Sequence, residues 1–261
     1  MKIYVAYHKE CKQLTSDELY TPLHVGKAIS KVNLNMIGDD TGDHISEKNG
    51  SFCETTGLYW MWKNTNHEYV GLSHYRRYFS AKEKTLGEQL LNGLRYLIGM
   101  GKKRRGVIYA KSTIKRCNQI LDLETAKKLL AEYDVIIPQK RYLKRSIEEQ
   151  YAIRRPNNDL KIVGEIIQER HPEYMQLFTK AMANNAMYAC NMFLMKKELF
   201  DDYMEWLFDI LFELEKRVDL TGYSSYHQRI YGFIAERLLI VWLGNQTAQV
   251  KELPVLYFKG E

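Results

Sequence analysis

The chain has 261 residues, 45% hydrophobic and 27% charged, so a folded core is expected and global disorder is excluded. Its net charge of +6 does not distinguish nucleic acid, anionic lipid and phosphorylated small molecules as partners. The four cysteines lie far apart without zinc-type spacing, so we expect reduced thiols in a cytoplasmic protein. The N-terminus lacks a signal-peptide pattern, and the most apolar window, Ile230–Leu243, is shorter than the ~20 residues of a membrane span.

Hydrophobic patterns predict helices and strands that alternate along much of the chain. Predicted strands cover Lys2–Tyr7, Tyr69–Ser73, Asp134–Pro138, Ala189–Met195 and Pro254–Phe258. Predicted helices cover Leu23–Ser30, Ser51–Asn64, Leu123–Glu132, Glu148–Arg155, Leu160–Glu169, Glu198–Arg217 and Tyr226–Leu243. Such helix–strand units favour a mainly parallel α/β sheet, and no clear linker divides the chain.

The loop from Ile37 to Gly50 is dense in Gly, Asp, Asn and Ser, which is typical of turns. Its carboxylates at Asp39, Asp40 and Asp43 could also bind a hard cation, although the spacing does not match an EF-hand. Turn formation is the preferred interpretation, and metal binding is the alternative.

The segment Tyr69–Phe79 begins as an apolar strand and then places His74, Arg76, Arg77 and three aromatic side chains in close succession. Loops at strand ends hold ligands in α/β sheets. Two adjacent arginines cannot both be buried without anionic partners, which favours an anionic ligand. The alternative is that one arginine is solvated while the other pairs with an internal carboxylate.

Farther along, apolar residues at Leu90–Met100 precede the basic run Lys102–Arg105. This pattern predicts either a solvated loop or contact with an anionic membrane surface, at ~1 kcal/mol per basic residue. Nucleic acid is not an expected partner, because no RNA- or DNA-binding motif is present. Asn191 interrupts an apolar run, so its amide must bind either backbone neighbours or a ligand.

Several segments resemble a bacterial family known as domain of unknown function 4422. They are Gly38–Gly42, Tyr59–Asn64, Tyr69–Phe79, Asn191–Met195 and Glu236 with Arg237. Members occur among capsular and exopolysaccharide glycosyltransferases, so the resemblance implies a nucleotide-sugar-dependent transferase of the GT-A type. The implied fold is one α/β domain over residues 1–261, with a Rossmann-like, mainly parallel sheet flanked by helices. Residues 1–140 would bind the nucleotide sugar, and the helix-rich residues 141–261 would face the acceptor.

The resemblance also implies roles for individual residues. Expected donor-binding residues are His8, Lys9, Asp40, Asn49, Glu54, Tyr59, Lys63, His74, Arg76, Arg77 and Asn191. Expected acceptor-binding residues are Trp206, Tyr226, Arg229 and Arg237. An inverting transferase needs a carboxylate base. The catalytic candidates are Glu236, Asp159 and His74, and Glu205 is a lower-ranked candidate.

Ordinary GT-A enzymes hold a divalent metal with an Asp-x-Asp motif, whereas this chain carries His74–Arg77 where that motif is expected. Two arginines can neutralise a leaving diphosphate by bidentate contacts, so we expect that no metal is required. The expected donor is a UDP-sugar, with UDP-galactofuranose as candidate, and the expected acceptor is a glycan, lipid-linked at the cytoplasmic membrane face. The alternative function is a non-catalytic carbohydrate-binding or scaffold protein of polysaccharide assembly.

Overall fold

The computed structural model describes residues 1–82, 106–110, 114–154 and 159–259, with positions 87, 90 and 94 between them. The strands are β1 (Lys2–Tyr7), β2 (Tyr20–His24), β3 (Ile37–Gly38), β4 (Tyr69–His74), β5 (Arg77–Phe79), β6 (Val107–Ala110), β7 (Val135–Pro138), β8 (Arg141–Tyr142), β9 (Ala186–Met187), β10 (Phe193–Lys196), β11 (Val250–Leu253) and β12 (Val255–Phe258). The helices are α1 (Asn49–Phe52), α2 (Thr55–Asn64), α3 (Ile114–Cys117), α4 (Leu123–Leu130), α5 (Ile147–Arg154), α6 (Asp159–Arg170), α7 (Met175–Ala183), α8 (Lys197–Arg217) and α9 (Ile230–Leu243).

The main sheet has the strand order β11-β7-β10-β4-β1-β2-β3. β1 is parallel to both β2 and β4, β2 is parallel to β3, and β7 is parallel to β11, while β10 runs antiparallel between β4 and β7. This mainly parallel sheet, flanked by helices, confirms the predicted fold class. After β1 the chain forms β2 and β3 on one side of β1, and then β4 on the other side of β1. The carboxyl ends of β1 and β4 therefore form a topological switch point, where α/β sheets bind ligands.

Strands from both predicted halves of the chain share this sheet. β10 and β11 come from the second half and pair with β4 and β7. β12, also from the second half, runs antiparallel to β5 and parallel to β6. Residues 1–140 and 141–261 are therefore interleaved in one sheet.

Alternation along β1 divides the core between the two faces of the sheet. Tyr4 and Ala6 belong to a cluster with the buried faces of α2, α8 and α9. Ile3, Val5 and Tyr7 belong to a second cluster, which α4, β5 and β12 cover. The central strands are apolar on both faces because helices or strands cover both sides.

Three predicted elements differ from the structure in type or continuity. The helix predicted over Leu23–Ser30 is wrong: Tyr20–His24 pairs with β1 as a strand, and only a short 3-10 turn follows at Lys27–Ile29. The helix predicted over Ser51–Asn64 is broken at Cys53, whose φ is 55°. The strand predicted over Ala189–Met195 is shortened to β10, because Cys190 and Asn191 form a turn with φ values of 79° and 47°.

The helix predicted over Tyr226–Leu243 begins at Ile230, whereas the strand predicted at Pro254–Phe258 is confirmed as β12. The basic run Lys102–Arg105 lies outside the described residues, as does most of Leu90–Met100. Among the residues that are described, no helix has both the length and the apolar character needed to cross a bilayer.

Candidate active site

A tight hairpin carries the two arginines to the switch point of the sheet. β4 and β5 pair through His74 and Arg77, so only Tyr75 and Arg76 form the turn between them. The Ser73 hydroxyl donates to the Arg77 carbonyl and ties the two sides of the turn together. The predicted strand-end cluster is therefore held at the carboxyl edge of β4.

Cationic side chains gather around this hairpin on aromatic faces. The Arg76 guanidinium lies 4.9 Å from the ring centre of Tyr75, and Lys9 Nζ lies 5.5 Å from the same ring. Within the described ranges, Lys9, Arg76 and Arg77 form no ion pair with a carboxylate, and Arg76 Nε is buried without a hydrogen-bond partner. Partial desolvation and the positive charges of Lys9, Arg229 and Arg76 lower the pKa of His8. Glu54 and Glu236 also lie near enough to raise the pKa of Arg77. Lys9, Arg76, Arg77 and Arg229 outnumber these two carboxylates, and the remaining positive charge favours an anionic ligand.

A strained turn at Cys190 and Asn191 faces the hairpin. His74 Nε2 donates to the Cys190 carbonyl at 2.5 Å, and the Cys190 amide donates to Glu236 Oε1 at 2.9 Å. Asn191 Nδ2 donates to Glu54 Oε1 at 2.9 Å. Left-handed backbone in non-glycine residues persists only where surrounding contacts hold it. Here those contacts come from the predicted site residues themselves.

The side chain of Asn191 has a fixed orientation. Its Nδ2 donates to Glu54 and also to the Gly232 carbonyl at 3.2 Å, and both partners are acceptors. The amide oxygen must therefore point the other way, where it is buried and has no partner among the described groups. A buried carbonyl oxygen without a donor costs about 1–3 kcal/mol, so this oxygen favours a bound hydroxyl or water.

Close packing of α9 against the break between α1 and α2 brings Glu236 into the site. A Cβ on Gly232 would lie 3.0 Å from Cys53 Cβ and 3.2 Å from the Phe52 carbonyl oxygen, so a side chain there would push α9 away. Glu236 follows one helical turn later. Cys53 accepts a hydrogen bond from Arg229 Nε at 3.1 Å, and burial raises the pKa of its thiol to about 11. The Cys53 thiol is therefore protonated at neutral pH.

The buried His74 predicts a pH dependence of stability. Desolvation, followed by the charge of Arg77, lowers the pKa of His74 from its ordinary value of 6.5 to about 4. Below pH 6.5 the unfolded chain binds a proton that the folded chain does not, so stability falls as the pH drops from 6.5 to about 4. We expect a loss of up to ~3 kcal/mol from this residue. The free energy of unfolding, measured with denaturant at pH 7 and at pH 5, tests this expected loss.

The matched variant is His74→Gln, whose side-chain amide can still donate to the Cys190 carbonyl but does not titrate. The other histidines remain in both proteins, so the difference between the two pH profiles isolates His74. Identical profiles for the variant and the parent would contradict the predicted role.

Asp39 has a structural role in the loop after β3. Its carboxylate accepts hydrogen bonds from the amides of Gly26 at 2.9 Å and Lys27 at 3.2 Å, and from the hydroxyls of Ser46 at 2.5 Å and Thr56 at 2.6 Å. Four donors leave no oxygen directed at a cation. Within the described ranges, no three His, Cys, Asp or Glu side chains could hold a metal ion together. Asp39 is therefore not available to the alternative metal site at the aspartates.

We expect Asp39→Asn to lower the free energy of unfolding by about 2–4 kcal/mol, since an amide leaves buried donors without an acceptor. Asp43→Asn is the control, because Asp43 is exposed and accepts one side-chain bond, from Tyr59. Its effect should stay below about 1 kcal/mol in the same urea titration. Equal losses in the two variants would contradict this role for Asp39.

Other expected donor-binding residues lie apart from the hairpin or are engaged elsewhere. Asp40 pairs with Lys27 at 3.4 Å, and the Asn49 amide donates to the Cys53 carbonyl at 2.7 Å. Tyr59 packs on Phe208 of α8, with ring centres 5.1 Å apart. Lys63 is exposed and lies over Trp62, 3.3 Å from its ring centre. The described contacts of Asn49, Tyr59 and Lys63 thus lie within or between α1, α2 and α8.

The acceptor-side residues also separate into two groups. Tyr226 is 46% exposed and, like Arg229, packs beside Phe233 at the start of α9, so these two lie at the rim of the site. Trp206 is 5% exposed and packs on Tyr174 with ring centres 4.8 Å apart. The structure therefore makes Trp206 a core residue, since its side chain has no free face for an acceptor.

Two further candidates turn away from the hairpin. Arg237 is buried, donates to Gln150 Oε1 at 3.0 Å and lies over the ring of Tyr151 at 4.8 Å. Its neighbour Glu236 accepts the Cys190 amide instead. Asp159 is 1% exposed, and its two oxygens accept the hydroxyls of Tyr151 at 3.1 Å and Tyr223 at 3.0 Å. This geometry favours a structural role for Asp159.

Sequence reasoning missed three residues of the site. Tyr75 and Tyr257 provide the aromatic faces under the cations, and Cys190 provides the backbone groups that His74 and Glu236 bind. Tyr75 lies inside the predicted cluster and could have been found from its neighbours. No local signal identifies Tyr257 or Cys190, because their roles depend on pairing between distant strands.

Comparisons with known proteins agree with this fold. A family model described as Domain of unknown function (DUF4422) matches residues 2–247. Among solved structures, the apo structure of the bifunctional glycosyltransferase WbbM is similar, with 31% identity and a TM-score of 0.85. The match covers 100% of this chain but 45% of that chain, so this chain spans less than half of that protein. A comparison with curated protein sequences gives no match. The fold is therefore glycosyltransferase-like.

Proposed function

This chain belongs to the family described as Domain of unknown function (DUF4422), and we propose that it is a hexosyltransferase that uses a nucleotide sugar. The proposed donor is a UDP-sugar, with UDP-galactofuranose as candidate. The proposed acceptor is a glycan or lipid-linked glycan in the synthesis of capsule, exopolysaccharide or O-antigen. The likeness to a bifunctional glycosyltransferase supports the transferase class.

One observation carries this proposal: Lys9, Arg76 and Arg77 converge at the switch point of the sheet without carboxylate partners among the described residues. Glu54 and Glu236 raise the pKa of Arg77 but do so from beyond ion-pair distance. A diphosphate would bring negative charge into direct contact, and arginine binds phosphate oxygens by paired hydrogen bonds. The switch point of an α/β sheet is also where nucleotides bind.

In the proposed reaction, the bond between the anomeric carbon and the diphosphate oxygen breaks, and its electron pair stays on the diphosphate. Arg76 and Arg77 stabilise that charge, which is the work a divalent metal does in metal-dependent transferases. A carboxylate takes the proton of the attacking acceptor hydroxyl. Glu236 is the proposed base, since its Oε1 is held by the Cys190 amide on the site side of α9.

The test is calorimetric binding of UDP-, GDP-, CMP- and dTDP-sugars to the full chain, each with and without EDTA. We expect one nucleotide family to bind, with the same affinity in both conditions. Binding lost in EDTA would overturn the arginine-for-metal part of the proposal. Sugar binding without any nucleotide binding would favour the non-catalytic carbohydrate-binding function instead.

A further inference from the structure

We propose that Tyr257 is a positioning residue, whose ring holds Arg76 and Arg77 in the orientation that binds a diphosphate. This inference deepens the proposed function and rests on it for the identity of the anion. Tyr257 lies on β12, beyond residues 2–247 that the family model matches.

Pairing between β12 and β5 places Tyr257 under the hairpin. Tyr257 lies directly opposite Arg77 in the antiparallel register, so the two side chains share one face of the sheet. The Phe258 amide donates to the Arg76 carbonyl at 2.9 Å, which fixes the turn against β12. The Tyr257 ring centre lies 5.6 Å from the Arg76 guanidinium carbon and 5.3 Å from that of Arg77. One ring thus contacts both cations.

The two guanidinium groups need such a support. They carry like charges, and no carboxylate among the described residues pairs with either of them. Arginine has a long side chain with several rotatable bonds, so repulsion would drive the two groups apart into solvent. The negative face of an aromatic ring attracts a guanidinium within about 6 Å of its centre. The Tyr257 ring therefore keeps both charges close before the anion arrives.

The two arginines do not depend equally on this ring. Arg76 lies between Tyr257 and Tyr75, whose ring centre is 4.9 Å from its guanidinium carbon. Among the aromatic rings that the structure describes, only Tyr257 lies at this distance from Arg77. Losing the ring at position 257 should therefore release Arg77 more than Arg76.

The test is calorimetric binding of inorganic pyrophosphate and of UDP to the full chain. We expect Tyr257→Leu to weaken both affinities about 10-fold, because the arginines must be ordered by the ligand itself. Tyr257→Phe keeps the ring and should bind within about twofold of the parent. Tyr133→Leu is the matched control, since the Tyr133 ring lies under Lys251 Nζ at 5.5 Å and has no described contact with Tyr257 or the two arginines.

Salt dependence separates positioning from loss of charge. Tyr257→Leu keeps both arginines, so its affinity should fall with added salt as steeply as that of the parent, whereas Arg76→Ala should show a shallower dependence. If Tyr257→Leu does not fold, Tyr257→Thr replaces it, because a β-branched residue suits a strand. Melting temperatures of all variants accompany the titrations.

Four results would overturn the inference: unchanged affinity in Tyr257→Leu, equal weakening in Tyr133→Leu, failure of Tyr257→Phe to keep the parent's affinity, or failure of the parent chain to bind pyrophosphate. A parent chain that binds pyrophosphate but no nucleotide would reject the proposed function and leave the positioning role supported by the variants.

Discussion

Arg76→Ala should lower kcat/KM for the nucleotide-sugar donor by about 10²–10³-fold while the protein remains folded. The loss follows from the position of Arg76 at the switch point, where its charge would meet the departing diphosphate. Folding should survive because the guanidinium donates no hydrogen bond to a described residue, and its Nε is already without a partner. Steady-state kinetics and thermal unfolding of the same preparation measure both effects.

Arg116→Ala is the matched control, since it removes the same charge from a side chain that, among the described residues, binds Gln119 at 3.0 Å. Its kinetics should equal those of the parent. Arg76→Lys should recover part of the loss, because lysine restores the charge but not the paired contacts. Parental turnover in Arg76→Ala would contradict the proposed role and would favour the scaffold function.

Glu236→Gln should lower kcat by about 10²–10⁴-fold, the range that general base catalysis contributes. The amide oxygen of glutamine can still accept the Cys190 amide, so the strained turn should persist. Donor binding should be unchanged or slightly tighter, because a negative charge near Arg77 is removed. Single-turnover kinetics together with a donor titration separate these two expectations.

Glu54→Gln is the first control. The glutamine oxygen can still accept from the Asn191 amide, but the charge that acts on Arg77 and Arg229 is lost, so this variant should change donor affinity more than the rate of transfer. Asp159→Asn is the second, and it should lower stability rather than kcat because both carboxylate oxygens accept tyrosine hydroxyls. If Glu54→Gln alone abolished transfer, the base would be Glu54 and the role given to Glu236 would be wrong.

Local sequence patterns were sufficient to predict those elements whose structure is determined by residues adjacent in the chain. The strands at Lys2–Tyr7 and Tyr69–Ser73, and the charged hairpin that follows, are visible in the sequence because each depends on adjacent residues. The family resemblance gave the fold class, which alternation of helices and strands alone indicated only coarsely.

The features that the sequence concealed depend on contacts between distant segments. Cys53 and Cys190 adopt left-handed backbone that favours glycine or asparagine, so pattern alone predicted regular elements through both. The Cys190 turn is held by His74 and Glu236, and neither contact can be inferred from spacing. Tyr257 joins the site only through the register of β12 with β5.

The interleaving of strands has a consequence for engineering. A fragment of residues 1–140 would contain β1 and β4 but would lack β10, leaving the free edge of β4 and its apolar faces exposed. We therefore expect such a fragment to aggregate rather than to act as a nucleotide-binding module. Donor specificity could be exchanged between relatives by swapping residues 1–140. Such a swap would also separate Arg77 from β12, the strand with which it pairs. Chimeras that keep β10 and β12 together with the hairpin should be the ones that fold.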